Sequence, residues 1–386
     1  MADERLIAER LVACDSSRPE GVEEAAGFVG GWLASRGVEV RKLDHLGLPV
    51  LIADAGRGGD DVPRVVFHGH LDVVPGKAAQ FDPVVDGDRL IGRGTYDMKG
   101  GLAAMLCAVG DLANDPNARV RMVVVPDEES PEIDDRSTDT LVAQGLVDCD
   151  FAITGEPTEL HVGVEAKGVL LADLEVAGKS AHGATPWLGE NAALRGIDVF
   201  RAIESLPFAR ASSETFDRPS INLGRITAGD APNRVPDLCR LAVDIRYLPG
   251  HDADAIKQAI SAIDGVTLVK AFERPPAWVS KSDPFVVALR EAAARAVGGE
   301  ALSVGRDGAS DAIAFLQAGI PAVEFGPVGG GHHGPDEWVS LDSVAAMRDA
   351  LASFVRSLPG RVSPGRPAGA DQAGGLRASA QPEESE

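Results

Sequence analysis

Cysteine is scarce in this chain of 386 residues: Cys14, Cys107, Cys149 and Cys239 lie far apart, and no CxxC pair occurs. That spacing argues against a disulfide framework or a thiolate-ligated zinc, and it fits small buried side chains in a reducing compartment. Cations are in deficit too, with 37 Lys and Arg against 59 Asp and Glu, a formal charge of −22. Such a field repels polyanions, so neither a nucleic acid nor an anionic membrane surface is expected as a partner. No window approaches the ~18 consecutive apolar residues of a membrane span. The opening stretch MADERLIAERLVACDSS interleaves charges with its apolar residues, unlike the unbroken apolar core of a secretion signal, and a cytoplasmic protein is expected. Internal repeats are also missing. What is there is 44% apolar and 25% charged, the proportions of a globular protein. The chain exceeds the roughly 250–300 residues at which one core stops growing, so two domains are expected.

Along the chain, a short opening helix is followed by a helix over 21–36, with Val22, Ala26, Val29 and Leu33 at helical steps and Gly37 placed for a left-handed cap. Apolar strands are predicted at 38–40, 50–52, 65–67, 122–125, 151–154 and 322–325, and helices at 99–113, 284–297 and 343–358. Strands alternating with helices imply a largely parallel sheet covered on both sides, an α/β architecture. Between 168 and 275 the texture changes. Val169–Val176 alternates, with Leu171, Asp173 and Glu175 on one wet face, and strands at 220–226 and 241–247 and helices at 191–203 and 252–263 follow. This order resembles a split βαβ, ferredoxin-like α+β insertion. The predicted division is therefore 1–167 and 276–358 for the main domain, 168–275 for the insertion, and a disordered tail at 359–386, which is poor in large apolar residues.

Five polar clusters follow the apolar strands or lie on loops beyond them: His68-Gly69-His70-Leu71-Asp72, Tyr96-Asp97, Asp127-Glu128-Glu129, Gly155-Glu156-Pro157 and Gly331-His332-His333. In an open α/β sheet the ligand crevice lies at the carboxyl ends of the strands. Singly, each cluster reads as a solvated loop with a capping acid. Together, histidines gathered with carboxylates and no thiolate are the donor set of a hydrolytic zinc, manganese or cobalt centre. Asp72, two residues after His70, is spaced to back the His70 ring through its other nitrogen. The adjacent Glu128 and Glu129 diverge on leaving a strand, which allows one to bind metal and the other to act as general base. Gly329-Gly330-Gly331 is no phosphate cradle, since no Lys-Ser/Thr follows; it lets the backbone turn toward His333.

The strings HGHLDVVPG, GRGTYDMKGG, PDEES, ITGEPT, KSAHGATPWLGENA and FGPVGGGHHGPDEW, in this order, resemble the successive motifs of the co-catalytic zinc aminoacylase and carboxypeptidase family. That family includes succinyl-diaminopimelate desuccinylase, acetylornithine deacetylase, aminoacylase and glutamate carboxypeptidase, and the resemblance covers nearly the whole chain before the tail. It implies a zinc-peptidase-like catalytic domain with an inserted dimerisation (lid) domain, a homodimer, and two divalent ions, zinc first with cobalt or manganese as alternatives. His70 and Glu156 would complete one metal site, Glu129 and His333 the other, and Asp97 would bridge them. His332 competes for the last ligand, but H-x-P-D-E spacing matches His333. Asp72 would orient His70, Glu128 would be the base, and His68 would line the site wall. The bond after Asp97 is expected to be cis.

The resemblance further implies that His182 supplies an oxyanion donor, in dimers from the partner subunit, and that Arg246 in DIRYLPG clamps a substrate carboxylate with Asn233 of APNRVPD nearby. As residues alone, His182 reads equally as an exposed loop histidine and Arg246 as a strand arginine in a local ion pair. Ala309, in Gly308-Ala309-Ser310-Asp311, stands where desuccinylases carry Thr, and the acidic run 131–135 would suit a cationic substrate end. The expected activity is hydrolysis of an N-acyl amino acid amide, of desuccinylase or acetylornithine-deacetylase type. A dipeptidase or carboxypeptidase on the same scaffold is the alternative, and a catalytically dead binding subunit the reading from another class.

Overall fold

The computed structural model describes residues 2–129, 135–308 and 310–365. At the centre of a mixed sheet, Val120–Val125, Val65–His70, Phe151–Thr154 and Ala322–Glu324 lie side by side and parallel. Val65–His70 is buried at every position, because successive side chains point into different cores. Val65 and Phe67 join the core beneath the helices Ala2–Val12, Pro19–Ser35, Gly100–Leu112, Pro284–Val297 and Leu341–Arg356. Val66 joins a second core on the opposite face, with Leu141 and Phe315 from the short helices Ser137–Ala143 and Ala312–Gln317. Covering on both faces is what makes these strands continuously apolar in sequence.

Antiparallel pairing enters toward the margins, although Ser303–Arg306 lies parallel to Val162–Ala166. A hairpin of Val40–His45 and Leu48–Ala55 adds to one side, and Val162–Ala166 runs antiparallel to Ala322–Glu324 on the other. The two-residue connection after His45 is too short for a crossover, which is why pairing there cannot be parallel. The expected strand at 38–40 begins only at Val40. Helix 19–35 ends as expected before Gly37, whose φ of +76° lies in the left-handed region. Asp283 and Ser340 cap the last two long helices with side-chain acceptors for Phe285 and Ser343 N–H groups.

The segment Gly168–Arg274 supplies a separate four-stranded antiparallel sheet, ordered Ser220–Ala228, Leu238–Tyr247, Gly168–Ala177, Val266–Arg274. With the helices Ala192–Ile203 and Ala253–Ser261 packed on one face, this is the split βαβ insertion, and it has its own core around Leu174, Leu241, Ile245, Ile203 and Ile260. A third, small sheet pairs Arg89–Ile91 with Trp338–Ser340, and so draws the histidine-bearing loop toward the segment that leads to Asp97. Among the described residues no helix is long and apolar enough to cross a membrane. Ser130, residues 131–134 of the acidic run, Ala309, and residues 366–386 of the expected tail lie outside the described residues.

Candidate metal centre

Each central parallel strand delivers part of the site at its carboxyl end. Val65–His70 ends in His70, Val120–Val125 leads to Glu128 and Glu129, Phe151–Thr154 to Glu156, and Ala322–Glu324 to the loop of His332 and His333. Asp97 arrives from the turn before helix Gly100–Leu112, with a cis bond to Met98. Two groups of donor atoms result, His70–Asp97–Glu156 and Asp97–His332–His333, each with its atoms within 4.8 Å of one another, and Asp97 belongs to both. His70 Nε2 lies 3.2 Å from Asp97 Oδ1 and 3.7 Å from Glu156 Oε1. His332 Nε2 is 2.5 Å and His333 Nε2 3.2 Å from Asp97 Oδ2, and His333 also meets Glu129 Oε1 at 2.8 Å. Gly331 and His333, both at positive φ, turn the loop so that both rings face Asp97.

The electrostatics fit a pair of divalent cations. Burial and the charge of Asp97 hold the Glu156 carboxyl well above its ordinary range, as expected where carboxylates crowd without a compensating ion. Burial opposes charge on His70, yet Asp72, Asp97 and Glu156 keep its ring protonated well above the usual value. Hydrogen bonds to Asp97 and Glu129 raise His333 to about 10. The histidines thus hold protons where a cation would sit, and cation binding would displace them. An oxygen and nitrogen donor set in which His332 and His333 are exposed suits zinc, manganese or cobalt in a catalytic rather than a closed structural site.

Asp72 serves three residues. Its main-chain carbonyl lies 2.9 Å from His70 Nδ1 and its carboxylate 3.5 Å away, so the closer backing of the ring comes from the backbone, not from the side chain the spacing singled out. The carboxylate instead accepts the N–H groups of Glu128 (3.1 Å) and Glu129 (2.7 Å), fixing the turn on which both stand. Glu129 faces His333. Glu128 takes no part in either three-donor group; it lies 3.3 Å from an Arg136 nitrogen, and burial with the nearby Asp311 charge raises its carboxyl to about 8.

His68 belongs to neither donor group, and its ring meets Thr138 and Asp311. Thr138 donates its hydroxyl to Asp311 at 2.5 Å, so the 2.9 Å contact from His68 Nε2 to that hydroxyl oxygen makes Nε2 the donor. Burial lowers its pKa to about 4, and His68 is a neutral core residue beneath the site.

Residues 66–357 match peptidase family M20/M25/M40. The chain belongs to that family. A succinyl-diaminopimelate desuccinylase from Rhizorhabdus wittichii is 27% identical to it over 382 residues, covering 93% of this chain and 98% of its own. A desuccinylase from Marinobacter nauticus is 30% identical over 328 residues, with 78% and 85% covered. Among solved structures, aminopeptidase PepT from Bacillus cereus superposes with a TM-score of 0.73 at 21% identity, over 92% of this chain and 98% of that one. The M20-family chain is thus an α/β metallohydrolase whose inserted sheet and paired metal-binding groups are both in place.

Three expected residues stand apart from this M20 centre. His182 and Asn233 are exposed and line one cleft of the inserted sheet with Ser180 and Arg234, and no donor group includes them. Arg246 is engaged by Asp244, two residues before it on the same strand, through Nε at 2.8 Å and a terminal nitrogen at 3.0 Å. Conversely, the sequence reading passed over Arg136, Arg93 and Glu337. Glu337 and Arg93 lie inside the quoted strings HHGPDEW and GRGTYD, but only their contacts across the fold reveal them.

Proposed function

We propose that this chain hydrolyses the amide of N-acyl amino acids, as a desuccinylase or acetylornithine deacetylase would, in the cytoplasm. The observation that carries the reading is Asp97, shared by two three-donor groups, with Glu129 reaching His333 of the second group and the neighbouring Glu128 turned to Arg136 instead. His70, Glu156 and Asp97 would hold one zinc ion, and Asp97, Glu129 and His333 the other, with His332, which lies nearer to Asp97 than His333 does, as the competing donor. Cations bound there would activate water and polarise the amide carbonyl. Glu128 would accept a proton from the attacking water and return it to the leaving amine. The charge of Asp311 and burial hold Glu128 back from ionising in the metal-free protein, and nearby cations favour its carboxylate form.

The protein acts as a homodimer in this reading, with His182 supplied across subunits to the developing oxyanion. Exposed Trp187, Leu188, Leu194 and Ile197 cluster in sequence on the inserted segment and support an association surface there. The likeness to desuccinylases over almost the whole chain favours acylated amino acids as substrates, and the likeness in fold to an aminopeptidase keeps a dipeptidase as the second reading. The two are separated by kcat/KM for N-succinyl-diaminopimelate, N-acetylornithine and simple dipeptides after zinc or cobalt reconstitution. An acylated amino acid is expected to lead; a dipeptide leading by tenfold or more would transfer the function to the peptidase reading.

A further inference from the structure

The Asp97 turn and the histidine loop, far apart in sequence, meet on one buried carboxylate. Glu337, 1% exposed, follows His333 by four residues and enters the strand Trp338–Ser340. Its Oε1 accepts the main-chain N–H groups of Tyr96 at 3.0 Å and of Asp97 itself at 3.1 Å. Its Oε2 accepts the Gly94 N–H at 3.0 Å and an Arg93 amino group at 2.6 Å. The other amino group of Arg93 donates to the His333 carbonyl at 3.1 Å. The result is a closed loop of contacts: from the Asp97 turn to Glu337, along the chain to His333, and back through Arg93.

A buried ion pair adds little net stability against apolar side chains of the same volume. A carboxylate taking four donors is justified differently, because it fixes the direction of each N–H it binds. The Asp97 carboxylate must address His70 through one oxygen and His332 and His333 through the other, and a small rotation of its backbone would release one side. We propose that Glu337, held by Arg93, is a positioning residue of the paired metal centre: it sets Asp97 between the two donor groups and fixes the His333 loop at the second of them. This rests on the reading that Asp97 bridges two cations.

The test uses full-length protein freed of metal and titrated with zinc alone against a chromophoric chelator, then with Co(II) followed by visible absorption. Glu337→Gln keeps the side-chain volume but leaves one acceptor oxygen for four donors. It is expected to weaken the second zinc equivalent by about 10–100-fold, to alter the Co(II) spectrum, and, because Arg93 is left buried without its anionic partner, to lower the melting temperature of the metal-free protein as well. Arg93→Lys keeps the charge and loses the forked reach to the His333 carbonyl, so a smaller loss confined to the second equivalent is expected. Should Glu337→Gln fail to fold, Arg93→Lys decides. Unchanged zinc affinities and Co(II) spectrum, with or without a lower melting temperature, would overturn the proposal. Wild-type protein binding a single equivalent would defeat the bridging reading itself, which no result on the variants can do.

Discussion

Glu128 and Glu129 are neighbours with opposite surroundings. Glu129 reaches the His333 ring, whereas Glu128 sits between Arg136 and the charge of Asp311. Glu128→Gln should keep both metals and lose about 10²–10⁴ in kcat, checked by metal analysis beside turnover; full activity would remove it as the base. His68 gives a stability prediction of definite sign. Its pKa falls from 6.5 in the open chain to about 4 when folded, so between these values the folded protein holds fewer protons. Its contribution is complete above pH 6.5 and is lost as pH drops toward 4. In metal-free protein, the urea midpoint of wild type should therefore fall more between pH 7 and 5 than that of His68→Gln. His70, Asp97, Glu156 and His333 were legible as candidate donors because they stand in polar clusters at strand ends or on the loops beyond them, whereas His332, set aside on spacing, joins the same group as His333 and Glu129 joins neither. Arg136, Asp311 and Glu337 were not given roles, because each acts on a partner brought near only by folding.

Helix Gly100–Leu112 shows how elements set the site. A Cβ on Gly101 would lie 2.3 Å from the Gly155 carbonyl oxygen, on the loop that carries Glu156. Gly101→Ala should cost about 1–3 kcal/mol in chemical denaturation and weaken metal binding at Glu156. Gly27, in helix Pro19–Ser35, has open space around it. Gly27→Ala should stabilise by about 0.4–1 kcal/mol, so the same substitution is expected to change sign between two helices. Long amphipathic helices and strands buried on both faces were readable from periodicity. Val266–Arg274, which closes the inserted sheet, was not marked as a strand because its residues are exposed or only half buried and leave no apolar run. Arg89–Ile91 and Trp338–Ser340 are too short for any periodic signal, although they align the two halves of the Glu337 contact ring.

For the molecule as a whole, a formal charge of −22 and a centre of converging carboxylates make cation loading a stabilising event. Stripping metal with a chelator should abolish activity and lower the melting temperature. Adding zinc back should raise the melting temperature progressively with its free concentration, as binding to the folded state alone requires; a midpoint indifferent to zinc would count against the centre. The parallel middle of the sheet and the inserted α+β segment were legible as texture, while the antiparallel pairings toward the margins depended on connection lengths that residue patterns do not encode. His70, Asp97 and Glu156 all precede the insertion, but Glu129 must wait for His333, 204 positions later. Because a nascent chain emerges N-terminus first and folds in that order, the ribosome releases the makings of one cation site long before the other can close. Yet Asp97, common to both, is itself held by Glu337, so neither is set until that residue has emerged, and the order of translation is not an order of loading.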